Sequence, residues 1–484
     1  MTRRLLSFSF TFLLALALAG CASLLGIDDV SEGGGPDAAP APDALAMADA
    51  RGPIADATPP RPDAAPADAF IQPACTPDQP PFDGVLCGPG AHPCQIQDDA
   101  IIDDPHFRNG APAVAVDGQC QPQISFSVAE SGFHGFFAVP DAGGNWGASE
   151  TPFALARVAA VSSPDGTPSL LSSEGSFVVA LHSLDRDGTW STIQVPDETV
   201  LVAGSLARES NGEMHAAMRL RGDEVVYGRF TGNWFLTPIG ENAALPVRLA
   251  MIDNGPPQFA WWNSDGGEWR LRWKAQPGVI ETASNLGSNS LGSESQRFSI
   301  AVSGPDAQNP GGRPHIVYPR PRLNNFRVLD LVYATRSGAN NWDAVIITSD
   351  ERAGANYCET QPQVSGETCE LSHDTLSPIG IVATPSGSVR VLYAVHHREA
   401  TLTADCDLMP GFCFYQTTED RTTAELMIAT VDDQLQSDVV SVGEVFQVVG
   451  ATVVLDTVGS MHIAMYGRDV GDSGTTVRYM RVGP

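Results

Sequence analysis

A three-residue motif with a polar residue between two apolar ones recurs seven times in this chain of 484 residues, and it constrains the fold more than any other feature. Each copy opens a short apolar run with the composition of a β-strand. In chain order the copies are PQI at 122–124, PSL at 168–170, MHA at 214–216, PQF at 257–259, PHI at 314–316, VRV at 389–391 and MHI at 461–463. Trp146, Trp190 and Trp234 follow the first three copies at intervals of 44 residues. The pattern indicates repeated units of several short strands.

A repeat of about 20 to 50 residues with several strands per unit is typical of a β-propeller. One such sheet cannot bury both of its faces alone, so copies are expected to stack around an axis. We therefore predict an all-β fold, a seven-bladed β-propeller over residues 108–484. A six-bladed ring with one degenerate unit and a pair of packed β-sandwiches are the alternatives. Because the last repeat has three strands, we expect a segment near 95–107 to supply its outer strand.

The amino terminus has the pattern of an export signal. Arg3 and Arg4 precede an apolar run at 5–19, which is shorter than the roughly 20 residues that a membrane-spanning helix needs. The sequence LAGC at 18–21 resembles the lipobox of bacterial lipoproteins. The resemblance implies that residues 1–20 are a signal peptide and that Cys21 becomes the lipidated first residue of the mature protein. An ordinary secretory signal followed by a chance cysteine is the alternative.

A lipidated Cys21 would make the membrane a partner of this protein. Several acyl chains on one residue anchor a protein stably, because each buried methylene contributes about 0.8 kcal/mol. Ala22 follows the cysteine, so the aspartate that signals inner-membrane retention in the lipoprotein family is absent. The resemblance therefore implies the outer membrane of a bacterial cell envelope and leaves the membrane face open.

Residues 21–74 form a tract rich in alanine, proline and aspartate, which predicts a disordered, extended tether. Residues 75–107 follow as a lead-in segment that contains cysteines. The whole chain has 57 acidic and 28 basic residues, a formal net charge of -29, and Lys274 is its one lysine. This balance argues against nucleic-acid binding through a basic face.

The cysteines left after Cys21 are even in number, as expected for disulfides in an oxidising compartment. Two close pairs, Cys358 with Cys369 and Cys406 with Cys413, are predicted to close local loops. The other four allow three pairings, which the sequence leaves open; they are Cys75, Cys87, Cys94 and Cys120. A zinc site is the alternative, but no C-x-x-C spacing occurs and the histidines do not cluster beside the cysteines.

The stretch SLDRDGTW at 183–190 resembles the Asp-box of bacterial neuraminidase repeats, a brace for the hairpin between the third and fourth strands. Ser183, Asp185, Thr189 and Trp190 match the box, whereas Asp187 occupies its glycine position. The resemblance implies a propeller fold and no particular activity, because the box lies far from the catalytic centre of sialidases. A sialidase-like mechanism would need three arginines, a tyrosine with a glutamate, and an acidic proton donor. We interpret the many arginines as compositional.

Few residues of the repeats indicate chemistry. Trp269 and Trp273 share one face of a predicted strand and are a candidate platform for a ligand, with core packing between blades as the alternative. The histidines of the motif, His215, His315 and His462, occupy a position that varies between copies, so we do not expect metal ligands there. No phosphate-binding loop or G-x-S-x-G elbow occurs, and we expect neither a cofactor nor a metal.

The sequence predicts a non-catalytic binding or interaction module, displayed from the envelope by a lipid anchor and a tether, with an unidentified protein or glycan as its ligand. Two insertions, at 350–372 and 399–422, are expected to form disulfide-braced recognition loops on one rim. A membrane-anchored sialidase-like or other carbohydrate-active hydrolase is the alternative, and a purely structural envelope component is a third.

Overall fold

The computed structural model describes the chain from residue 75 onward with short gaps. The described ranges are 75–76, 79–88, 93–106, 111–129, 132–155, 157–174, 178–196, 200–220, 222–265, 267–287, 297–322, 325–351, 368–409, 412–445, 447–468 and 474–484. These ranges form 28 β-strands in seven four-stranded antiparallel sheets. They include no helix that could span a membrane. Cys21 and the whole predicted tether lie outside the described residues.

Each of the seven sheets is one blade, and in the first six the strands follow chain order. Blades one to three are β2 (Ala113–Val116), β3 (Pro122–Val128), β4 (His134–Pro140) and β5 (Trp146–Glu150); β6 (Arg157–Ser162), β7 (Pro168–Glu174), β8 (Val178–Leu184) and β9 (Trp190–Gln194); β10 (Val200–Arg208), β11 (Met214–Leu220), β12 (Val225–Phe230) and β13 (Trp234–Gly240). Blades four and five are β14 (Ala243–Ala250), β15 (Gln258–Asp265), β16 (Glu268–Ala275) and β17 (Glu281–Gly287); β18 (Ser299–Ser303), β19 (Arg313–Arg322), β20 (Asn325–Gly338) and β21 (Asn341–Glu351). Blade six is β22 (Thr368–Ala383), β23 (Val389–Met409), β24 (Phe412–Val431) and β25 (Ser437–Val445). Blade seven is β26 (Gln447–Leu455), β27 (Met461–Arg468), β28 (Thr475–Gly483) and β1 (Gln95–His106).

The predicted seven-bladed propeller is confirmed, and the repeated motif marks the start of the second strand of each blade. This strand lies in the middle of its sheet and packs on both sides, so it is buried almost throughout: β3, PQISFSV, is buried at every position. The fourth strands form the outer edge, and β5 and β9 are mostly exposed. The apolar runs of the second strands thus reflect burial on both faces.

The ring closes where the two ends of the folded region meet. As expected from the three-stranded last repeat, β1 pairs with β28, from Gln95 opposite Gly483 to His106 opposite Thr475. The first strands of successive blades contact one another in order, and β26 of blade seven contacts β2 of blade one. These first strands surround the axis of the ring, and the space between them is called the channel below. Residues 95–106 therefore contribute the outer strand of blade seven.

Two disulfides fix the lead-in segment. Cys75 is bonded to Cys120, in the first turn of blade one, and Cys87 is bonded to Cys94. Leu86 and Cys87 are buried between blades six and seven, in one cluster with core residues of both. The guanidinium of Arg390, the polar residue of the VRV motif, donates to the carbonyl oxygens of Leu86 and Cys87. The lead-in thus spans three blades at the joint of the ring.

Blade six extends beyond its neighbours, and the insertion at 399–422 is not the loop that the sequence suggested. It continues β23 and β24 as a ribbon that stays paired as far as Met409 opposite Phe412. The start of β22 joins the ribbon, with Thr368 opposite Thr403. Thr401 and Thr403 alternate along β23, and threonine is enriched in strands.

The close cysteine pairs lie partly outside the described residues. Cys369 is disulfide-bonded, whereas Cys358 is not described. The backbone pairing of Asp405 with Phe414 places residues 406 and 413 on facing strands, and their side chains are not described. The two predicted local disulfides therefore stay predictions.

The propeller has two different ends. Because the strands are antiparallel, the turns from first to second and from third to fourth strands all lie at one end, which we call the turn face. Turns from second to third strands and the connections between blades lie at the other end, the hairpin face. The ribbon of blade six extends the hairpin face.

Candidate functional site

At the turn face, the repeated histidines join strands within each blade. His215, His315 and His462 each share a hydrogen bond of 2.7 Å with a tyrosine of the next strand. Burial lowers the pKa of all three histidines, that of His315 to about 3. They are therefore neutral at pH 7, and their ring nitrogens serve as hydrogen-bonding groups inside the sheet.

The polar position of the motif also joins neighbouring blades. Gln123 Nε2 donates to the carbonyl of Gly166, in the first turn of the next blade, at 2.7 Å. Gln258 Nε2 donates in the same way to the carbonyl of Gly312 at 2.9 Å. A polar residue recurs inside an apolar strand because the neighbouring turn has a carbonyl that needs a donor. These residues are structural.

The channel has a different character, because three arginines converge on it. Arg157 is the first residue of β6, Arg248 lies within β14, and Arg219 lies near the end of β11, at the hairpin face. Blade three lies between the strands that carry Arg157 and Arg248. In the seven first strands, aspartate and glutamate occur only in the extended start of β22.

The arginines lie close enough to affect one another. Burial lowers the pKa of Arg157, and the positive charge of Arg219 lowers it further. Burial and then the charge of Arg157 lower the pKa of Arg248 to about 10. The side chain of Arg157 is also accessible to solvent, so its desolvation is only partial. The guanidinium of Arg248 nevertheless remains charged at pH 7, because a pKa of about 10 lies well above it.

Few protein groups compensate these charges. Arg157 has no ion pair or hydrogen bond to any described residue. Arg248 Nε donates to the carbonyl of Phe298 at 3.4 Å, a weak contact. Arg219 pairs with Asp223 through one nitrogen, while its buried Nε has no partner among the described residues. Guanidinium groups that lack acceptors favour a carboxylate or another planar anion. The three guanidinium groups therefore have free donors of the kind that pair with an anion.

The parts of a sialidase-like mechanism other than arginines are not gathered here. The described tyrosine side chains all lie on second or third strands and none lies on a first strand; they are Tyr227, Tyr318, Tyr333, Tyr393, Tyr466 and Tyr479. Tyr318 and Arg320 belong to strand β19. Arg320 pairs with buried Asp330.

The tryptophan platform predicted from the sequence packs inside the propeller. Trp269 and Trp273 do share one face of β16, and that face packs against blade five. Trp273 is 5 % exposed, and its Nε1 donates to Gln258 Oε1 at 3.2 Å. The guanidinium of Arg336 lies over its ring at 5.2 Å. The contacts of Trp273 are those of a side chain packed in the core between blades.

The stretch at 183–190 forms the turn between the third and fourth strands of blade two, where an Asp-box would lie. Asp185 N donates to the carbonyl of Thr189, and Gly188 has a φ of 82°. This turn lies at the turn face and not in the channel.

The adjacent histidines of β23 have different surroundings. His396 is buried and accepts a hydrogen bond from Val448 N at 3.0 Å, whereas His397 is exposed and pairs with Asp374.

Sequence reasoning missed the channel arginines because it attributed arginine abundance to composition. One signal was available: Arg157 and Arg248 each stand alone in a first strand that is otherwise apolar or small, RVAAVS and AALPVRLA. A charge in such a strand suggests that its side chain faces the channel. Their proximity depends on the ring, which brings first strands about 90 residues apart in sequence to the same axis.

No protein-family model matches the chain, and no curated protein matches it. Many solved structures resemble it weakly. The polysaccharide lyase Uly1 has a TM-score of 0.43 and 9% identity, covering 84% of this chain and 98% of its own. The SapL1 lectin, solved with alpha methyl fucoside, has a TM-score of 0.37 and 10% identity, covering 65% and 96%. The Hadza microbial sialidase Hz136 has a TM-score of 0.35 and 12% identity, covering 59% and 63%. Likeness at this level assigns neither ligand nor activity.

Proposed function

We propose that this protein is a binding module of the bacterial cell envelope that holds a carboxylate-bearing saccharide at the mouth of its channel. The observation that carries the proposal is the convergence of Arg157, Arg219 and Arg248 with almost no compensating acceptor, in a chain whose net charge is -29. Clustered like charges destabilise a fold, so their presence favours a role in binding an anion.

The depth of the arginines limits the size of the ligand. Arg248 lies inside β14, beyond the rim, so an acidic patch on a folded protein would not reach it. A narrow ligand reaches it. A sugar ring loses less conformational entropy on binding than a peptide of similar size, which favours an acidic saccharide over an acidic peptide.

The lipobox-like sequence at 18–21 and the tract at 21–74 supply the rest of the proposal. A lipid on Cys21 would hold the protein at the outer membrane, and the tether would give the propeller freedom to meet its ligand. Mass spectrometry of the mature protein tests this part: an acylated Cys21 supports it, and an unmodified thiol in a secreted protein contradicts it.

Isothermal titration calorimetry of the intact, detergent-solubilised protein with galacturonate oligomers and sialyllactose tests the binding proposal. Lactose and an oligoglutamate peptide are the neutral and peptide comparisons. We expect one acidic saccharide to bind, and Arg157→Gln to weaken that binding about tenfold or more, the usual effect of losing a charge-assisted hydrogen bond. Added salt should weaken binding as well.

Arg186→Gln is the matched control, since it removes the same charge from an exposed ion pair with Asp165 on the turn face. It should bind like the wild type. Equal losses in both variants would mean that net charge alone acts, and binding by the peptide alone would reject a saccharide ligand. Absence of binding by every acidic probe would contradict the proposal.

A further inference from the structure

An open depression of about 530 Å³ lies at the hairpin face, where blade one is connected to blade two. Its wall consists of Phe133 and His134, where β4 begins, Glu150, the last residue of β5, and residues 151–154 of the connection. A volume of this size lies in the range of small-molecule sites. A ligand can reach the polar groups, because the side chains of His134 and Glu150 are 43% and 58% exposed.

The connection that forms part of the wall is fixed in place. Thr151 N donates to the carbonyl of Gly135, and Thr151 Oγ1 donates to the carbonyl of Phe153, both at 2.8 Å. The ring of Phe153 stacks on His182, with 3.6 Å between the ring centroids. A Cβ atom at Gly135 would lie 2.4 Å from Thr151 Oγ1, so glycine permits this close approach. A wall fixed in this way needs little reordering when a ligand binds.

The polar side chains of the depression accept hydrogen bonds. His134 Nδ1 lies 2.7 Å from Glu150 Oε1, and a carboxylate only accepts, so the imidazole donates its Nδ1 hydrogen to it. In the neutral ring, Nε2 is then an acceptor. Neither this Nε2 nor Glu150 Oε2 has a hydrogen bond to a described residue. The described lining residues include no lysine or arginine.

This wall favours a ligand with a positive charge. A carboxylate with a free oxygen pairs best with a cation that has N–H donors, and Glu150 repels an anion. Phe133 is 38% exposed, and the face of a phenyl ring attracts an ammonium group. The second acceptor, His134 Nε2, matches a hydroxyl group. An amino sugar carries an ammonium group with hydroxyl groups beside it on one ring.

The depression lies close to the mouth of the channel. Ala154 precedes Arg157 by three residues, so at most about 10 Å separates their Cα atoms. Arg157 begins β6 at the same hairpin face and forms no ion pair with Glu150 or any other described residue. The two charges are therefore available to two groups of opposite sign on one short saccharide.

We propose that this depression binds an amino sugar residue, whose ammonium group pairs with Glu150 and lies against Phe133. The site stands on different atoms from those of the channel. Its link to the channel rests on the proposed function, under which one saccharide places a carboxylate-bearing residue at Arg157 and an adjacent amino sugar at Glu150.

NMR titration of the intact, detergent-solubilised protein with glucosamine tests this site. N-acetylglucosamine keeps the ring and blocks the amine, whereas butylamine has the amine without the sugar. We expect glucosamine to bind about tenfold more tightly than either, and Glu150→Gln to weaken it about tenfold, because a charge-assisted hydrogen bond is lost. The His134 pair is exposed, so this variant should fold.

Glu268→Gln is the matched control, because it removes a similarly exposed carboxylate, paired with Arg270, from the hairpin face of blade four. It should bind glucosamine like the wild type. Selective loss in Glu150→Gln supports the proposal. The proposal is overturned if glucosamine does not bind, if either comparison compound binds as tightly, if Glu150→Gln binds like the wild type, or if Glu268→Gln loses as much.

Arg157→Gln should leave glucosamine binding unchanged, which separates this site from the channel. Binding of glucosamine without any acidic saccharide would reject the proposed function alone, and the reverse would reject this site alone. A disaccharide of glucuronate and glucosamine should bind more tightly than glucosamine, because it reaches both sites. Equal affinity for the two would overturn the link between them.

Discussion

Arginines in two regions of the propeller have opposite surroundings. At the turn face, Arg336 pairs with Glu281 at 2.8 Å, and Arg313 pairs with Asp306 at 2.7 Å. In the channel, Arg157 has no described partner, and Arg248 has one carbonyl at 3.4 Å. At the turn face the charge of an arginine is thus compensated by a carboxylate, whereas in the channel it lies close to other positive charges.

The difference distinguishes arginines that stabilise the fold from arginines that remain available to bind a ligand. A buried guanidinium that pairs with a carboxylate belongs to the fold, because removal of either partner leaves the other charge unsatisfied. A guanidinium that faces others of its kind adds nothing to the fold. The comparison therefore predicts that arginine substitutions at the two places have effects of opposite sign on stability.

Arg336→Gln should cause the largest loss of stability. It leaves the carboxylate of Glu281, which is 3% exposed, with Trp342 Nε1 as its remaining side-chain donor. We expect a loss of about 3 kcal/mol in the free energy of unfolding, measured by denaturant titration. Arg186→Gln, from an exposed pair, should lose less than about 1 kcal/mol. Similar losses in both variants would contradict the comparison.

The second largest effect on stability should come from acid, through the buried His315 at the turn face. The pKa of His315 falls to about 3 in the folded protein, from about 6.5 when unfolded, because the side chain is buried. The unfolded chain therefore binds the proton first, and stability falls as the pH drops from 6.5 towards 3. His315 alone should contribute a loss of about 2 kcal/mol by pH 5.

Denaturant titrations at pH 7 and pH 5 measure this effect, and His315→Gln should show a smaller difference between the two. His397→Gln is the control, because hydrogen bonds to Asp374 and Glu399 raise the pKa of His397 and its contribution has the opposite sign. An acid loss that His315→Gln does not reduce would contradict the assignment.

Arg157→Gln should have the smallest effect on stability, and in the other direction. It removes a charge that has like charges as neighbours, so the free energy of unfolding should stay the same or rise by up to about 1 kcal/mol. A loss of 2 kcal/mol or more would mean that Arg157 belongs to the fold.

The architecture was predictable because it repeats. The motif and the tryptophans mark second and fourth strands locally, and the missing last strand follows from the count of strands in the final repeat. The ribbon of blade six was not predicted, because a close cysteine pair and the Pro-Gly sequence at 410–411 are typical of loops.

The binding surfaces were not predictable from local sequence. The pairing of Cys75 with Cys120 joins segments 45 residues apart, and four cysteines allow three connectivities. The channel arginines can be recognised only from what the neighbouring blades place, or fail to place, beside them.

Mapping of arginine reactivity with phenylglyoxal by mass spectrometry tests the central claim most directly, because this reagent attacks the unprotonated guanidine. The lowered pKa and the solvent access of Arg157 predict that it reacts early and is protected by a bound acidic saccharide, while Arg336 stays unmodified. Equal reactivity at both residues, or reaction at Arg157 that no acidic saccharide slows, would contradict the account.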